Sequence, residues 1–377
     1  MSTNLKDYMG GKLMKNKIFI ILIMLTVLTG CTDGKIHNTD NGYAPETEGD
    51  LHQGEASSDN IVFEGDRIYY INKDSKLFSV KDDGTDKKII FDKYPLNSFQ
   101  IYEDKIYMLH FDFSADNPSK LLYSNMDGTD SNELNLKLEF SNKFYISDFV
   151  ISNDLLFFAV YDLTKNYDVD FPKQFFMYNL EDGDLSILYE DFFGAFGKLV
   201  INDNILYSLE YGPMEYDILN EYNIETKEKG TININNNSHV ENIITSKLYF
   251  EDDLIYYSGK TYIDVEDVNG LTDTQTLFED NDFMIVAMAM TNEHIFFVNL
   301  DDLRKYDTDI EIMNLDIYRM NIDGSEINKI YTETMNNTNF PPGKLSIVAD
   351  DVIIYRNNLT DNIVVMDLDG NGLDWNL

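Results

Sequence analysis

The sequence predicts an all-β fold, a β-propeller of seven four-stranded blades, on three observations. A unit of two hairpins recurs seven times between residue 60 and the end of the chain. Its period suits four short strands. Each copy opens on an acidic or amide turn followed by an aliphatic and then an aromatic residue, the composition of a half-buried strand.

Asp66 to Ile90, DRIYYINKDSKLFSVKDDGTDKKII, displays the unit. RIYYIN and KLFSVK are separated by Asp74-Ser75, and the turn Asp82-Asp83-Gly84-Thr85 leads into KKII. Ile61 to Phe63, ahead of Glu64-Gly65-Asp66, supplies one strand more. The later copies begin YEDKIYM, SNDLLFF, NDNILYS, EDDLIYY, TNEHIFF and ADDVIIY. The second residue after each turn is Ile68, Ile106, Leu156, Leu206, Ile255, Ile295 and Ile353. The third is Tyr69, Tyr107, Phe157, Tyr207, Tyr256, Phe296 and Ile354. The second hairpin of every copy has a turn ending in glycine, which supplies the positive φ of a tight turn.

Seven units over residues 60–377 average about 45 residues each, a blade-like period. Such a sheet buries both faces only against neighbours around an axis. The aliphatic-aromatic pairs are then the core between blades. Spacings of 38, 50, 50, 49, 40 and 58 residues separate the turns, so six or eight blades stay open. Leu373 to Leu377 is the expected fourth strand of the last copy. No strand is then shared between the chain ends: the last blade closes on the first through side chains, or the blade boundaries are offset by one strand.

The N-terminus reads as an address. Lys15-Asn16-Lys17 precedes the apolar run Ile18 to Gly30, too short to span a bilayer comfortably and suited to a secretion signal. Leu28-Thr29-Gly30-Cys31 resembles a bacterial lipobox. That resemblance implies cleavage before Cys31, which then carries thioether-linked and ester-linked lipid, and a membrane anchor on the extracytoplasmic face of a bacterial cell. Met14 serves as a start as well as Met1 does. Cys31 is the chain's single cysteine, so disulfides and thiol catalysis are excluded from the mature domain. Residues 31–59, polar and without periodicity, read as a disordered tether between the signal (1–30) and the propeller (60–377).

Formal net charge is −38. Without residues 1–30, which carry Lys6, Lys12, Lys15, Lys17 and Asp7, 25 basic residues face 66 acidic ones. Such a surface repels nucleic acid phosphates and anionic headgroups, and it attracts cations and basic partners.

KLFSVKDDGTDKKII and DIYRMNIDGSEINKIY resemble the aliphatic-x-x-x-Asn-x-Asp-Gly-Ser/Thr half-repeat of low-density-lipoprotein-receptor-type propellers, and IYYIN at 68–72 lies where those carry Tyr-Trp-Thr-Asp. No copy here has the Trp, and that family has six blades. The resemblance, to bacterial lipoproteins bearing such a propeller, implies a scaffold that binds protein partners.

The connections between the two hairpins vary most: FDFSADNPS, YDLTKNYDVDFPKQ, YGPMEYDILN and LDDLRKYDTDIEIMN are long, acidic and aromatic, and in a propeller they leave one face. Tyrosine rings and carboxylates there suit a protein or carbohydrate ligand. The expected ligand-binding residues are Asp112, Asp116, Tyr161, Tyr167, Asp168, Asp170, Tyr211, Tyr216, Asp301, Asp302, Tyr306 and Asp307. A monomer is expected. Alternatives are a structural or sensory subunit of an envelope complex, and a glycan-active lyase or hydrolase. No Gly-x-Ser-x-Gly elbow, phosphate-binding glycine loop or His-Glu-x-x-His is present, so the expectation is a non-enzyme without cofactor or metal. Calcium is the ion to consider, since Asp367, Asp369, Asn371 and Gly372 imitate the start of a calcium loop, which lacks its closing carboxylate before Leu377.

Overall fold

The structure, a computed structural model, describes residues 61–81, 83–111, 119–138, 144–162, 173–192, 199–211, 217–233, 248–251, 253–259, 261–267, 274–300, 313–335, 344–347, 352–356 and 363–372. The chain divides into Met1–Glu48, outside the described residues, and Gly49–Leu377. The signal, Cys31, the tether and the expected strand Leu373 to Leu377 all lie outside the described residues.

Every described element of the second unit is a strand. Blade 1 is β1 (Ile61–Glu64), β2 (Arg67–Ile71), β3 (Leu77–Lys81) and β4 (Lys88–Phe91). Blade 2 is β5 (Leu96–Tyr102), β6 (Lys105–Phe111), β7 (Ser119–Asn125) and β8 (Asn132–Glu133). Blade 3 is β9 (Phe144–Ser152), β10 (Leu155–Asp162), β11 (Lys173–Asn179) and β12 (Leu185–Phe192). Blade 4 is β13 (Leu199–Asn202), β14 (Ile205–Tyr211), β15 (Asp217–Asn223) and β16 (Lys229–Asn233). Blade 5 is β17 (Tyr249–Glu251), β18 (Leu254–Ser258), β19 (Tyr262–Asp267) and β20 (Gln275–Glu279). Blade 6 is β21 (Ile285–Met290), β22 (His294–Leu300), β23 (Met313–Asn321) and β24 (Asn328–Met335). The last sheet, blade 7, is β25 (Lys344–Ile347), β26 (Val352–Arg356) and β27 (Ile363–Asp367). All pair antiparallel in chain order within their own sheet. The fold is thus a β-propeller with six four-stranded blades, not seven. The seventh copy forms a sheet of three described strands.

Local chemistry sets the hairpins. Glu64↔Arg67, Tyr102↔Lys105, Ser152↔Leu155 and Asn202↔Ile205 close on two-residue loops. Those loops place Gly65, Glu103, Asn153, Asp154, Asp203 and Asn204 at positive φ, the requirement that selects Gly, Asn and Asp in a turn matched to strand twist. In the second hairpin, Gly84, Gly128, Gly183, Gly324 and Gly370 take positive φ as expected. Blade 4 differs: Lys227 takes the left-handed position at φ 60, and Gly230 lies inside β16. Gly230 faces Glu221, whose Oε2 would stand 2.5 Å from a Cβ added there.

The aliphatic-aromatic pairs work as alternation demands, one residue to each side of its sheet. Ile68 joins a core with Ile354 and Val365, while Tyr69 joins the next core with Phe99 and Ile106. Tyr107 packs with Phe149 and Leu156, and Phe157 with Leu199 and Leu206. Tyr207 packs with Phe250 and Ile255, and Tyr256 with Met288 and Ile295. Each core lies between consecutive sheets, and each such side chain contributes about 1.5–3 kcal/mol by leaving water. Blades 7 and 1 meet in the same way, through Ile61, Ile68, Tyr70, Val80, Ile354 and Val365, each at most 3% exposed. The ring therefore shuts through side chains, and the boundaries are not offset by a strand, since β1 to β4 make one sheet.

Polar ties cross four of the other seams. The Gln100 amide exchanges two hydrogen bonds with the Ile151 backbone, at 2.9 and 2.7 Å. The Leu199 amide donates to Asp148 Oδ2 at 3.0 Å. Tyr249 donates to the Met288 carbonyl at 2.7 Å, and Arg319 to the Leu368 carbonyl at 3.1 Å and to Asp369. These satisfy buried groups that strand pairing leaves over.

Candidate functional site

Antiparallel order gives the ring two unlike ends. One carries the hairpin turns between first and second strands and between third and fourth strands. The other carries the connections from second to third strand and from blade to blade.

At the turn end several acidic residues are occupied. Asp83 and Asp127 each accept from the backbone N–H and hydroxyl of a threonine two residues on, and Asp323 accepts from the Ser325 backbone N–H. These donors hold each carboxyl below the ordinary aspartate value, the side-chain hydroxyl being the larger cause in each case. The calcium-like run is built the same way. Asp367 accepts from the Asp369 backbone N–H at 3.0 Å and from the Asn371 backbone and side-chain amides at 2.8 Å each. Asp369 Oδ1 meets Arg319 Nη1 at 2.6 Å. These oxygens shape a turn and tie blade 7 to blade 6.

The other end is where buried polar residues gather. His110 and Ser119 stand there in blade 2, Asp148 in blade 3, Ser208 and Asn220 in blade 4, Ser258 and Asp264 in blade 5, Asn299 and Asp316 in blade 6, and Arg356 in blade 7, all at most 9% exposed. Strand register spreads them over the half of the sheets away from the first turns: Ser208 faces Asn220 midway along β14, Asn299 faces Asp316 near the end of β22, and Ser119 closes the β6–β7 pair opposite Phe111. Several are committed. His110 stacks on Tyr94 at 5.0 Å, and its Nδ1 lies 2.6 Å from the Pro95 carbonyl, which fixes that nitrogen as the donor. The Ile146 amide donates to Ser119 Oγ at 2.8 Å. Asp316 accepts from Thr332 at 2.6 Å and pairs with Lys329 at 3.3 Å. The arrangement is a polar floor beneath the long connections.

Of the expected ligand-binding residues, Asp112, Asp116, Tyr167, Asp168, Asp170, Tyr216, Asp301, Asp302, Tyr306 and Asp307 lie outside the described residues. Tyr211 ends β14. Tyr161 is placed differently from the expectation: β10 runs on to Asp162, Tyr161 pairs with Lys173, and its ring is 2% exposed, 6.0 Å from that of Tyr145. The extra strand length makes it part of the floor. Burial, with Asp148 nearby, pushes the Tyr145 hydroxyl up to about 12. Among the described residues no group of three or more His, Cys, Asp or Glu could hold a metal ion.

The floor was not singled out from sequence, yet a signal exists. The fourth residue after each first turn is Tyr70, Met108, Phe158, Ser208, Tyr257, Phe297 and Tyr355. Rings of this column stack on third-strand rings in blades 1, 3 and 6, at 5.7, 5.4 and 5.4 Å. Ser208 alone puts a small polar side chain in the column.

Burial also raises Glu221, half-buried on β15 beside Tyr207. An acid whose folded value is raised gives stability that is complete below the ordinary glutamate value and is lost as pH rises through the folded value. Glu221→Gln is therefore expected to raise Tm at neutral pH and to leave it unchanged at pH below the ordinary glutamate value. Equal shifts at both pH values would show that the carboxyl is not the cause.

No family model matches this chain, and no curated protein does. Solved structures do. A Mycobacterium tuberculosis puromycin-hydrolyzing peptidase matches with TM-score 0.54 and 8% identity, over 86% of this chain and 55% of that one. One of two prolyl endopeptidases matches with TM-score 0.51 and 10% identity, over 82% of this chain and 49% of the other. The propeller domain of the Trilobed protease from Pyrococcus furiosus matches with TM-score 0.49 and 12% identity, over 85% and 99%. This chain spans about half the length of the first two peptidases. At these identities the likeness shows the fold. It corrects one expectation: a propeller of this form was read as a non-enzyme, and matches of this form lie within peptidases.

Proposed function

We propose that this chain is a lipid-anchored binding protein on the extracytoplasmic face of a bacterial membrane, and that its propeller takes a protein or carbohydrate ligand at the end with the long second-to-third-strand connections. The observation that carries the reading is the polar floor: buried amide, hydroxyl and charged groups concentrate toward that end, while Asp83, Asp127 and Asp367 at the turn end are engaged in their own turns. A ligand end needs convergent polar groups on a rigid base, and β-strands supply the base. The lipobox-like Leu28 to Cys31 supports the anchor, and the receptor-like half-repeats support a protein partner. The chain acts as a monomer in this reading.

The test uses the full chain, with and without calcium. In a bacterial host, palmitate label is expected on the wild type and not on Cys31→Ala. Unlipidated Cys31→Ala is then used for capture from envelope extract and on a glycan array. Asp168→Asn, Asp170→Asn, Asp301→Asn and Asp302→Asn together are expected to weaken the captured ligand about tenfold or more. Glu64→Gln with Asp66→Asn, at the turn end, is expected to leave it unchanged. Equal losses from the two ends, or no ligand above background, would defeat the binding reading. Label on Cys31→Ala would defeat the anchor alone.

A further inference from the structure

The seam between blades 3 and 4 differs from the others at the level of Ser208. Other blades put a tyrosine, phenylalanine or methionine in that place. Blade 4 puts Ser208, paired with Asn220, and blade 3 opposes it with Ala159. Both walls are short, yet Ser208 is 5% exposed, Asn220 9% and Ala159 1%. Ser208 Oγ has no hydrogen-bond partner among the described residues. The Asn220 amide reaches only the Ser208 carbonyl, at a long 3.5 Å. Asn220 pairs in turn with the exposed Thr231 of β16, and Ser208 with Leu199, whose amide donates to Asp148. Register thus sets Thr231, Asn220, Ser208 and the Leu199 backbone side by side across blade 4, with the Asp148 carboxylate on the Leu199 amide; this polar lane starts at the exposed rim.

A buried hydroxyl without a partner is costly, and an amide held by one long bond nearly so. A site that is polar, short-walled and open to the rim is where water enters and stays. We propose that this lane is a hydration site, in which ordered water accepts or donates hydrogen bonds to Ser208 Oγ and to the Asn220 amide and connects them to Thr231 at the rim. The other seams meet the same level with packed aromatic or aliphatic side chains.

Two measurements on the full chain test it. A crystal structure that resolves ordered solvent is expected to show water within hydrogen-bond distance of Ser208 Oγ; an empty lane overturns the proposal. Thermal unfolding of Ser208→Ala gives a sign. If water holds the hydroxyl, its removal lowers Tm by a few degrees; if the hydroxyl is dry and unsatisfied, its removal raises Tm and the proposal fails. Ser208→Met with Asn220→Leu copies the Met108 and Leu122 pair of blade 2. It is expected to expel the water and to raise Tm, and a lowered Tm would mean the lane is already filled, which also overturns the proposal.

Discussion

Ile354→Asp is expected to destabilise the propeller by more than about 4 kcal/mol, because it leaves a charge unpaired in the apolar seam that closes the ring. Ile354 is fully buried between Val365 and the blade 1 residues Ile61, Ile68 and Tyr70. It is also where the aromatic column is broken, an aliphatic among tyrosines and phenylalanines. Among the described residues no peptide connection crosses the junction of blades 7 and 1, and its cohesion there rests on packing. Ile89→Asp is the control. Ile89 sits on the outermost strand of blade 1, 54% exposed, and its replacement is expected to cost about 0.5 kcal/mol or less. Urea unfolding separates the two by their midpoints. Equal small losses would show that the seam does not hold the ring.

The second large effect concerns glycine. Gly128→Ala is expected to cost about 3 kcal/mol, combining a left-handed backbone with a collision. Gly128 has φ +83, and a Cβ there would run into the Ile90 carbonyl oxygen of β4. The contact recurs. A Cβ on Gly324 would stand 2.7 Å from the Leu277 carbonyl oxygen, and one on Gly370 would run into that of Ile330. In each case the second-hairpin turn of one blade rests on the outer strand of the blade before it. Gly65 separates the two causes. It has φ +63 and nothing within 4 Å of an added Cβ, so Gly65→Ala is expected to cost about 1 kcal/mol, the backbone part alone. Chemical denaturation of both variants reads the difference. Like costs at Gly65 and Gly128 would mean that the turn does not bear on the neighbouring blade.

These glycines show how far the sequence was legible. Their repetition after an acidic residue marks a tight turn, which local chemistry alone requires. Their second duty, the close approach to a neighbouring blade, joins residues about forty apart and leaves no separate mark. Gly230 is the converse: it ends the corresponding stretch of its copy, after Lys229 instead of an aspartate, yet Lys227 makes the turn and the glycine makes room for Glu221. Tyr161 is similar, since nothing in YDLTKNYDVDFPKQ states where β10 stops, and two further residues of strand move its ring into the floor.

From the sequence alone came the all-β class, the repeating unit, the two-residue acidic turns and the aliphatic-aromatic pairs, because each depends on neighbours a few residues apart and on the two-residue period of a strand. The tertiary structure decided the rest. It set six four-stranded blades and a seventh sheet of three described strands, a seam between the last sheet and the first packed by side chains, and a concentration of buried polar groups toward one end. Those depend on which sheet meets which, and packing between sheets obeys shape and burial across the whole ring, terms that no short stretch of chain contains.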